Sequence, residues 1–287
     1  MKGILLIATS HPYYGRLAAN LAMSIKAAED IPIAVIADEA GLRHLSESER
    51  ALFAEIIPAP VLPNGLVGIN QLRMNLPKYS PFKETLSLDV DMLWHPKRKP
   101  SEAFELLSDR DFTIVNEGYI DLDTGEDHTS KRYSHWADPT AIKEAFELTG
   151  RLYQTRGEFI LFRKSPQVTQ LYKTARAIQK KPGVDVQTLG DSVTDEFALN
   201  IALNKQGMEP HVSKWQPAYW SAIHGGLMPP VYKLDGYFAV SFGGNHAGRE
   251  ERKAYDIIAG AAAYKTGLKY RFPLQSKRNY LTERRSS

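Results

Sequence analysis

Asp89 and Asp91 stand one residue apart in the stretch TLSLDVDMLW, where an apolar run over residues 85–88 ends in two acids. Side chains alternate between the faces of a strand, so the two carboxylates can project in one direction while Val90 turns back to the core. Carboxylates so close repel each other, and a divalent cation offsets that repulsion. A hard ion such as Mg2+ or Mn2+ takes oxygen ligands and shares them with substrate phosphates. The pair therefore reads as a metal and diphosphate site or, as a bare tripeptide, as a turn cap. The chain has no cysteine. That excludes disulfides, thiolate metal sites and a cysteine nucleophile, and leaves oxygen and imidazole as the metal donors.

Positioning two acids at one edge requires a sheet. GILLIATS (3–10) is a continuous apolar run, followed by a predicted helix over 16–28 and a second run, IPIAVIAD (31–38). Uninterrupted apolar strands around a helix are the pattern of a parallel sheet covered on both faces. A short strand is predicted at 55–60, a Pro/Gly-rich loop at 62–68, and a helix or turn broken by Pro77 and Pro81 before the strand that carries the acids. Further strands are expected at 112–123, 157–165 and 237–244, with helices over 168–180, 194–204 and 249–264. The polar, aromatic segment from Asp121 to Pro139 is long enough for a lid or acceptor loop. In an open α/β sheet, ligands bind beyond the carboxyl ends of the strands, and the acids stand at such an end.

The 287 residues, with 43% hydrophobic and 24% charged, are ordinary for a globular protein and sufficient for one compact domain. No apolar stretch approaches the roughly 20 residues that span a bilayer, and the N-terminal run has no small-residue cleavage site, so a cytoplasmic location is expected. Net charge is +3, too weak to imply nucleic-acid binding over the whole surface. Six Lys/Arg face one glutamate in GLKYRFPLQSKRNYLTERRSS (267–287). This tail reads as a solvated terminus, or as a contact for an anionic acceptor or a membrane surface.

The stretch SPFKETLSLDVDMLW resembles the strand and Asp-x-Asp signature of GT-A glycosyltransferases. Three further stretches follow in the family's order. GEFILFRKS is similar to the strand before the acceptor helix, DSVTDEFALNIAL to the Asp-containing segment that opens it, and SFGGNHAG to the late His and Gly of the glycogenin-like, family 8-like branch. The resemblance implies a Rossmann-like, mixed but mostly parallel sheet flanked by helices, as a single domain over 1–266 with the basic tail at 267–287. It implies Asp89, Asp91 and His246 as ligands of Mn2+ or Mg2+. It also implies Ala8, Thr9, Ser10 and Asp38 as contacts of a nucleotide-sugar donor, a UDP-sugar, where the alternative reading is that Thr9 and Ser10 cap a helix and Asp38 starts a turn. Gly243, Gly244 and Gly248 would bring backbone close to phosphate. HAGREERK departs from the branch's usual His-Gly-Lys-Pro-Trp, so Lys253 or Arg249 would serve the phosphate instead. Asp195 is the first candidate for a catalytic carboxylate, then Glu196, with Asp191 as runner-up, although acids in a first helical turn also suit the helix dipole.

Trp215, Tyr219 and Trp220 could stack on a sugar or base or simply pack, and Arg132, His135 and Trp136 are acceptor-side candidates. His11 and Tyr14 read as packing or capping residues. The implied activity is metal-dependent transfer of a hexosyl group to a hydroxyl of a saccharide, a lipid-linked sugar or a protein. The alternatives are transfer to a hydroxylated base in DNA, for which the basic tail is the pointer, and a non-catalytic nucleotide-sugar-binding module. A nucleotidyltransferase is disfavoured because SHPYYGR lacks a glycine-rich basic loop, and a dinucleotide oxidoreductase because Gly-x-Gly-x-x-Gly is absent.

Overall fold

A computed structural model describes residues 1–60, 68–129, 136–189, 192–211, 217–224, 227–243, 249–271 and 273. In chain order, the first elements are β1 (Lys2–Ala8), α1 (Pro12–Ala28), β2 (Ile33–Ala37), α2 (Glu39–Leu42), α3 (Glu47–Arg50) and β3 (Glu55–Pro58). Next come α4 (Ile69–Arg73), α5 (Leu76–Tyr79), β4 (Glu84–Leu88), β5 (Met92–Trp94), α6 (Pro100–Ala103), β6 (Phe112–Asp121), α7 (Pro139–Phe146) and β7 (Arg151–Arg163). The last are α8 (Pro166–Lys180), β8 (Thr188–Leu189), β9 (Ser192–Val193), α9 (Asp195–Lys205), β10 (Ala218–Trp220), β11 (Ala239–Ser241) and α10 (Arg249–Thr266). The architecture is mixed α/β, with a mostly parallel sheet flanked by helices. Two compact units build it: Met1–Val67, Ser80–Glu105 and Trp215–Ser287 form the first, Gly68–Tyr79 and Leu106–Lys214 the second. Among the described residues no helix is long and apolar enough to cross a membrane.

In the first unit β3, β2, β1 and β4 lie side by side and all parallel. β1 and β2 are buried along almost their whole length, as the unbroken Ile/Leu/Val runs require, and each such side chain contributes about 1.5–3 kcal/mol on burial. α1 is buried without interruption from Gly15 to Ile25, because α10 and β5 pack against it. Its three buried polar residues are all partnered, as interior polar groups must be. Arg16 pairs with Glu49, Asn20 donates to the Tyr255 hydroxyl at 2.9 Å, and Ser24 accepts from the Trp94 N–H at 2.9 Å.

The helix starts four residues before the sequence pattern suggests. Pro12 supplies the fixed φ of a first helical position, and the His11 imidazole caps it by accepting from the Tyr13 N–H at 3.1 Å. The capping role expected of His11 is thus observed. A second ladder, β10, β11 and β5, pairs three residues per strand. His95, buried just past β5, donates its backbone N–H to Phe238 O at 2.8 Å and sets its ring against Val231 O and Asp235.

Burial lowers the pKa of His95 from 6.5, with Val231 O and Asp235 opposing the shift and Lys97 and Arg98 adding to it. Below pH 6.5 the unfolded chain then binds the proton that the folded chain resists. Stability is fully present above that pH and is lost as pH falls through it. Urea unfolding of the wild type should therefore lose midpoint between pH 7 and pH 5, and His95→Gln should flatten that dependence. Parallel slopes for the two proteins would show that His95 is not the sensor.

The second unit is built on β6 and β7, antiparallel neighbours backed by α8 and α9. β7 begins six residues earlier than the sequence pattern indicates, because RLYQTR carries charged and amide groups in positions that the structure buries.

Candidate functional site

In the first unit the candidate residues gather at the carboxyl ends of β1, β2 and β4. Ala8 and Thr9 are buried at the end of β1, and Ser10 follows with φ +72°, a left-handed backbone that costs energy for a residue with a Cβ. Asp38 holds it there. One carboxylate oxygen of Asp38 accepts from the Ser10 N–H at 2.7 Å, and the other accepts from the Gly41 N–H at 2.7 Å while capping α2. The surroundings admit nothing larger: a Cβ on Gly41 would fall 1.9 Å from Ala8 O, and one on Gly15 would fall 1.7 Å from Gly41 O. Two glycines therefore let β1, α1 and α2 close around the loop over 8–10; Asp38 caps α2, and α1 is capped by His11 rather than by Thr9 or Ser10.

Asp89 and Asp91 lie just beyond the last paired residue of β4, half-exposed on either side of buried Val90. Burial, then the Asp91 charge, then Tyr14 push the Tyr13 phenol far above its usual range. The Phe242 N–H donates to the Asp91 backbone oxygen at 3.0 Å, following on from the β5–β11 register Met92↔Ser241. The late strand expected over 237–244 is present as the three-residue β11, and its end pairs beside the acids. His246 lies outside the described residues, as do Gly244, Gly248 and Asp191, and nothing is described of the Arg249 side chain. Gly243, at φ +53°, fits against the indole of Trp220, where a Cβ would come within 2.4 Å of Nε1.

Two partly exposed carboxylates at a strand end fit a hard divalent cation. Among the described residues no third acid or imidazole completes a metal-binding group. Lys253 sits exposed on α10 and pairs with Glu250 at 3.0 Å. Tyr219 is spent on packing: it stacks on His224 at 4.6 Å and donates its hydroxyl to Leu227 O. Trp215, Arg132 and His135 lie outside the described residues, and the Trp136 carbonyl accepts from the Gln187 N–H at 2.7 Å.

The second unit holds a buried ionic cluster. Asp195 and Glu196 open α9 behind the Thr194 cap, yet they are only 2% and 8% exposed, so they are not merely solvated acids at a helix start. Asp195 accepts from Arg73 of α4 at 3.3 Å, and Glu196 accepts from the Gly157 N–H at 2.9 Å. Gly157 must be glycine, since a Cβ there would stand 2.6 Å from Asp195 Oδ2.

It sits in an irregularity: the β6–β7 register jumps between Ile114↔Ile160 and Val115↔Arg156, and again between Asn116 and Tyr119. Bulges of this kind re-aim side chains beside functional sites. Here they bring together Glu117, Arg156 and Glu158, with Arg156 Nε 2.6 Å from Glu117 and its Nη1 2.5 Å from Glu158. Arg73, Glu117, Arg156 and Glu158 are absent from the sequence reading. Their only signal was Gly118 and Gly157, each inside an otherwise strand-like run.

Comparison with family models and with curated sequences returns no match. Comparison of structures does. The galactosyltransferase LgtC, in complex with donor and acceptor sugar analogs, matches over 91% of this chain and 96% of its own, with TM-score 0.54 and 16% identity. This is the GT-A fold. The bifunctional glycosyltransferase WbbM matches over 91% of this chain and 49% of its own, with TM-score 0.52 and 10% identity. The GT-A assignment agrees with the fold expected from SPFKETLSLDVDMLW. Within this GT-A chain, Asp89, Asp91, Ala8, Thr9, Ser10 and Asp38 belong to one unit, and Asp195 and Glu196 to the other.

Proposed function

We propose that the chain is a metal-dependent glycosyltransferase that moves a hexosyl group from a nucleotide-diphosphate sugar, a UDP-sugar, to an acceptor hydroxyl. The observation that carries this reading is the pair of half-exposed acids, Asp89 and Asp91, at the end of β4 in a GT-A fold. Asp89 and Asp91, with His246, would hold Mn2+ or Mg2+, which when bound neutralises charge developing on the diphosphate leaving group. Ala8, Thr9 and Ser10 offer a small-residue edge for the nucleoside, and the Asp38 clamp fixes that edge before a ligand arrives, which reduces the ordering cost of binding. Asp195, Glu196 and Asp191 are the acids assigned to the reacting centre. Glu196 is oriented by the Gly157 N–H and Asp195 by Arg73, so each presents a fixed carboxylate rather than a freely rotating one.

Thermal unfolding with a panel of nucleoside diphosphates, each with and without Mn2+, tests the reading. UDP with Mn2+ should stabilise the chain by about 2.7 kcal/mol at ~100 times its dissociation constant, and neither component alone should reach that. Stabilisation by no nucleotide in the presence of metal would overturn the donor assignment.

A further inference from the structure

The β6–β7 ladder holds a longer interruption than an ordinary bulge. Ile114 and Val115 are neighbours in β6, yet their partners in β7 are Ile160 and Arg156, so Gly157, Glu158 and Phe159 have no counterpart across this ladder. A simple bulge sets two residues against one. Here the strand takes up three extra residues, and all three are buried. Arg156 and Glu158 grip that segment: Arg156 Nη1 lies 2.5 Å from Glu158, and Glu117 of β6 anchors the same guanidinium at 2.6 Å from Nε. Glu117 stands in a second interruption, where Gly118, at φ +122°, donates its N–H to the Asn116 side chain at 3.1 Å. The residue between the gripped pair is Gly157, and it meets both acids of α9. Its N–H donates to Glu196 at 2.9 Å, and its Cα lies so close to Asp195 that a Cβ would stand 2.6 Å from Oδ2.

An ionic cluster buried this deeply is weak evidence for stability, since well-packed apolar residues serve a core as well. What it supplies here is a fixed geometry. We propose that Arg156 and Glu158 are positioning residues for Glu196: their ion pair, anchored to β6 through Glu117, clips the three extra residues so that the Gly157 N–H stays on the Glu196 carboxylate. A glutamate side chain has several rotatable bonds, and a donor held in one place selects one arrangement of them. Misplacing a reacting group by about 1 Å costs on the order of 100-fold in rate, so the clip acts on rate rather than on donor binding. That it serves turnover rests on the glycosyl-transfer reading. That it fixes Glu196 does not.

Arg156–Gly157 is the one Arg-Gly dipeptide in the chain, so carbonyl-labelled arginine with nitrogen-labelled glycine isolates the Gly157 amide in nuclear magnetic resonance spectra of the full protein. In the wild type the bond to a carboxylate should set this proton downfield and slow its exchange, and Glu196→Ala should abolish both effects. Glu158→Met removes the acceptor of the clip and leaves Arg156 paired with Glu117, so the melting midpoint should stay near that of the wild type. The Gly157 proton should nevertheless move at least about half of the way to its Glu196→Ala position and exchange at least about tenfold faster. Glu158→Gln keeps an acceptor for the guanidinium and should fall between Glu158→Met and the wild type. With Mn2+ and whichever of UDP-glucose and UDP-galactose the wild type turns over, Glu158→Met should lower kcat about 10- to 100-fold and change the donor KM by less than about twofold. A Gly157 signal unmoved in folded Glu158→Met overturns the proposal, and if that variant does not fold, an unmoved signal in Glu158→Gln does so. A moved signal with kcat unchanged keeps the clip and overturns instead the place of Glu196 at the reacting centre. Where the wild type turns over neither donor, the Gly157 signal alone decides.

Discussion

Asp91→Asn is expected to abolish the Mn2+-dependent part of nucleotide binding and to leave the fold in place. The fold should survive because the structural bond at this residue is made by the backbone: Asp91 O accepts from the Phe242 N–H at 3.0 Å, and an asparagine of the same shape keeps it. Under the proposed function binding should fail, because the substitution removes one of the two carboxylates that would balance a divalent cation and a diphosphate. Transfer from a UDP-sugar should fall by about 100- to 1000-fold, the usual cost of removing one electrostatic contributor to a transition state. A second readout does not depend on turnover: without ligand the melting midpoint of Asp91→Asn should match the wild type, and the stabilisation given by UDP with Mn2+ should be lost. Unchanged Mn2+-dependent UDP affinity in Asp91→Asn would show that this carboxylate does not serve the metal.

The parts of this chain that the sequence discloses are those where one pattern acts without interference. β1 and β2 are buried parallel strands, so they read as largely unbroken apolar runs, and β4, buried beside them with Thr85 and Ser87 next to its leucines, leads into two acids that stand out. β5, β10 and β11 have three residues each, too few for any period, and their pairing beside Asp91 appears only in three dimensions. The bulged region fails for a different reason. Alternation is the signal of a strand and a bulge interrupts it, so Glu117, Arg156 and Glu158 read as polar positions in ordinary strands. For Asp195 and Glu196 the helix start was legible and their burial was not. A Thr cap followed by two acids is what an exposed helix would also show. At Asp38 the strand-end carboxylate was legible, and its two bonds to the backbone of Ser10 and Gly41 were not.

Arg156→Met should destabilise the chain by about 3–5 kcal/mol, the usual cost of removing one partner from a buried ionic cluster. Arg156 is 1% exposed and its guanidinium is shared by Glu117 and Glu158, themselves buried, so methionine fills much of the volume while withdrawing that counter-charge from two acids. Two further results separate electrostatics from packing. The variant should partly recover as pH falls, because its glutamates gain raised folded-state pKa values, the folded chain then binds more protons than the unfolded one, and stability rises toward acid. Adding Glu117→Gln and Glu158→Gln to Arg156→Met should return a large part of the loss at pH 7, since an uncharged cluster no longer needs the guanidinium. A packing defect would respond to neither. Because the same bulge carries Gly157 to Glu196 and against Asp195, the triple variant also tests the bulge itself: recovered stability with lost transfer would show that the ion pairs aim the acids, whereas recovery of both would confine them to holding β6 on β7.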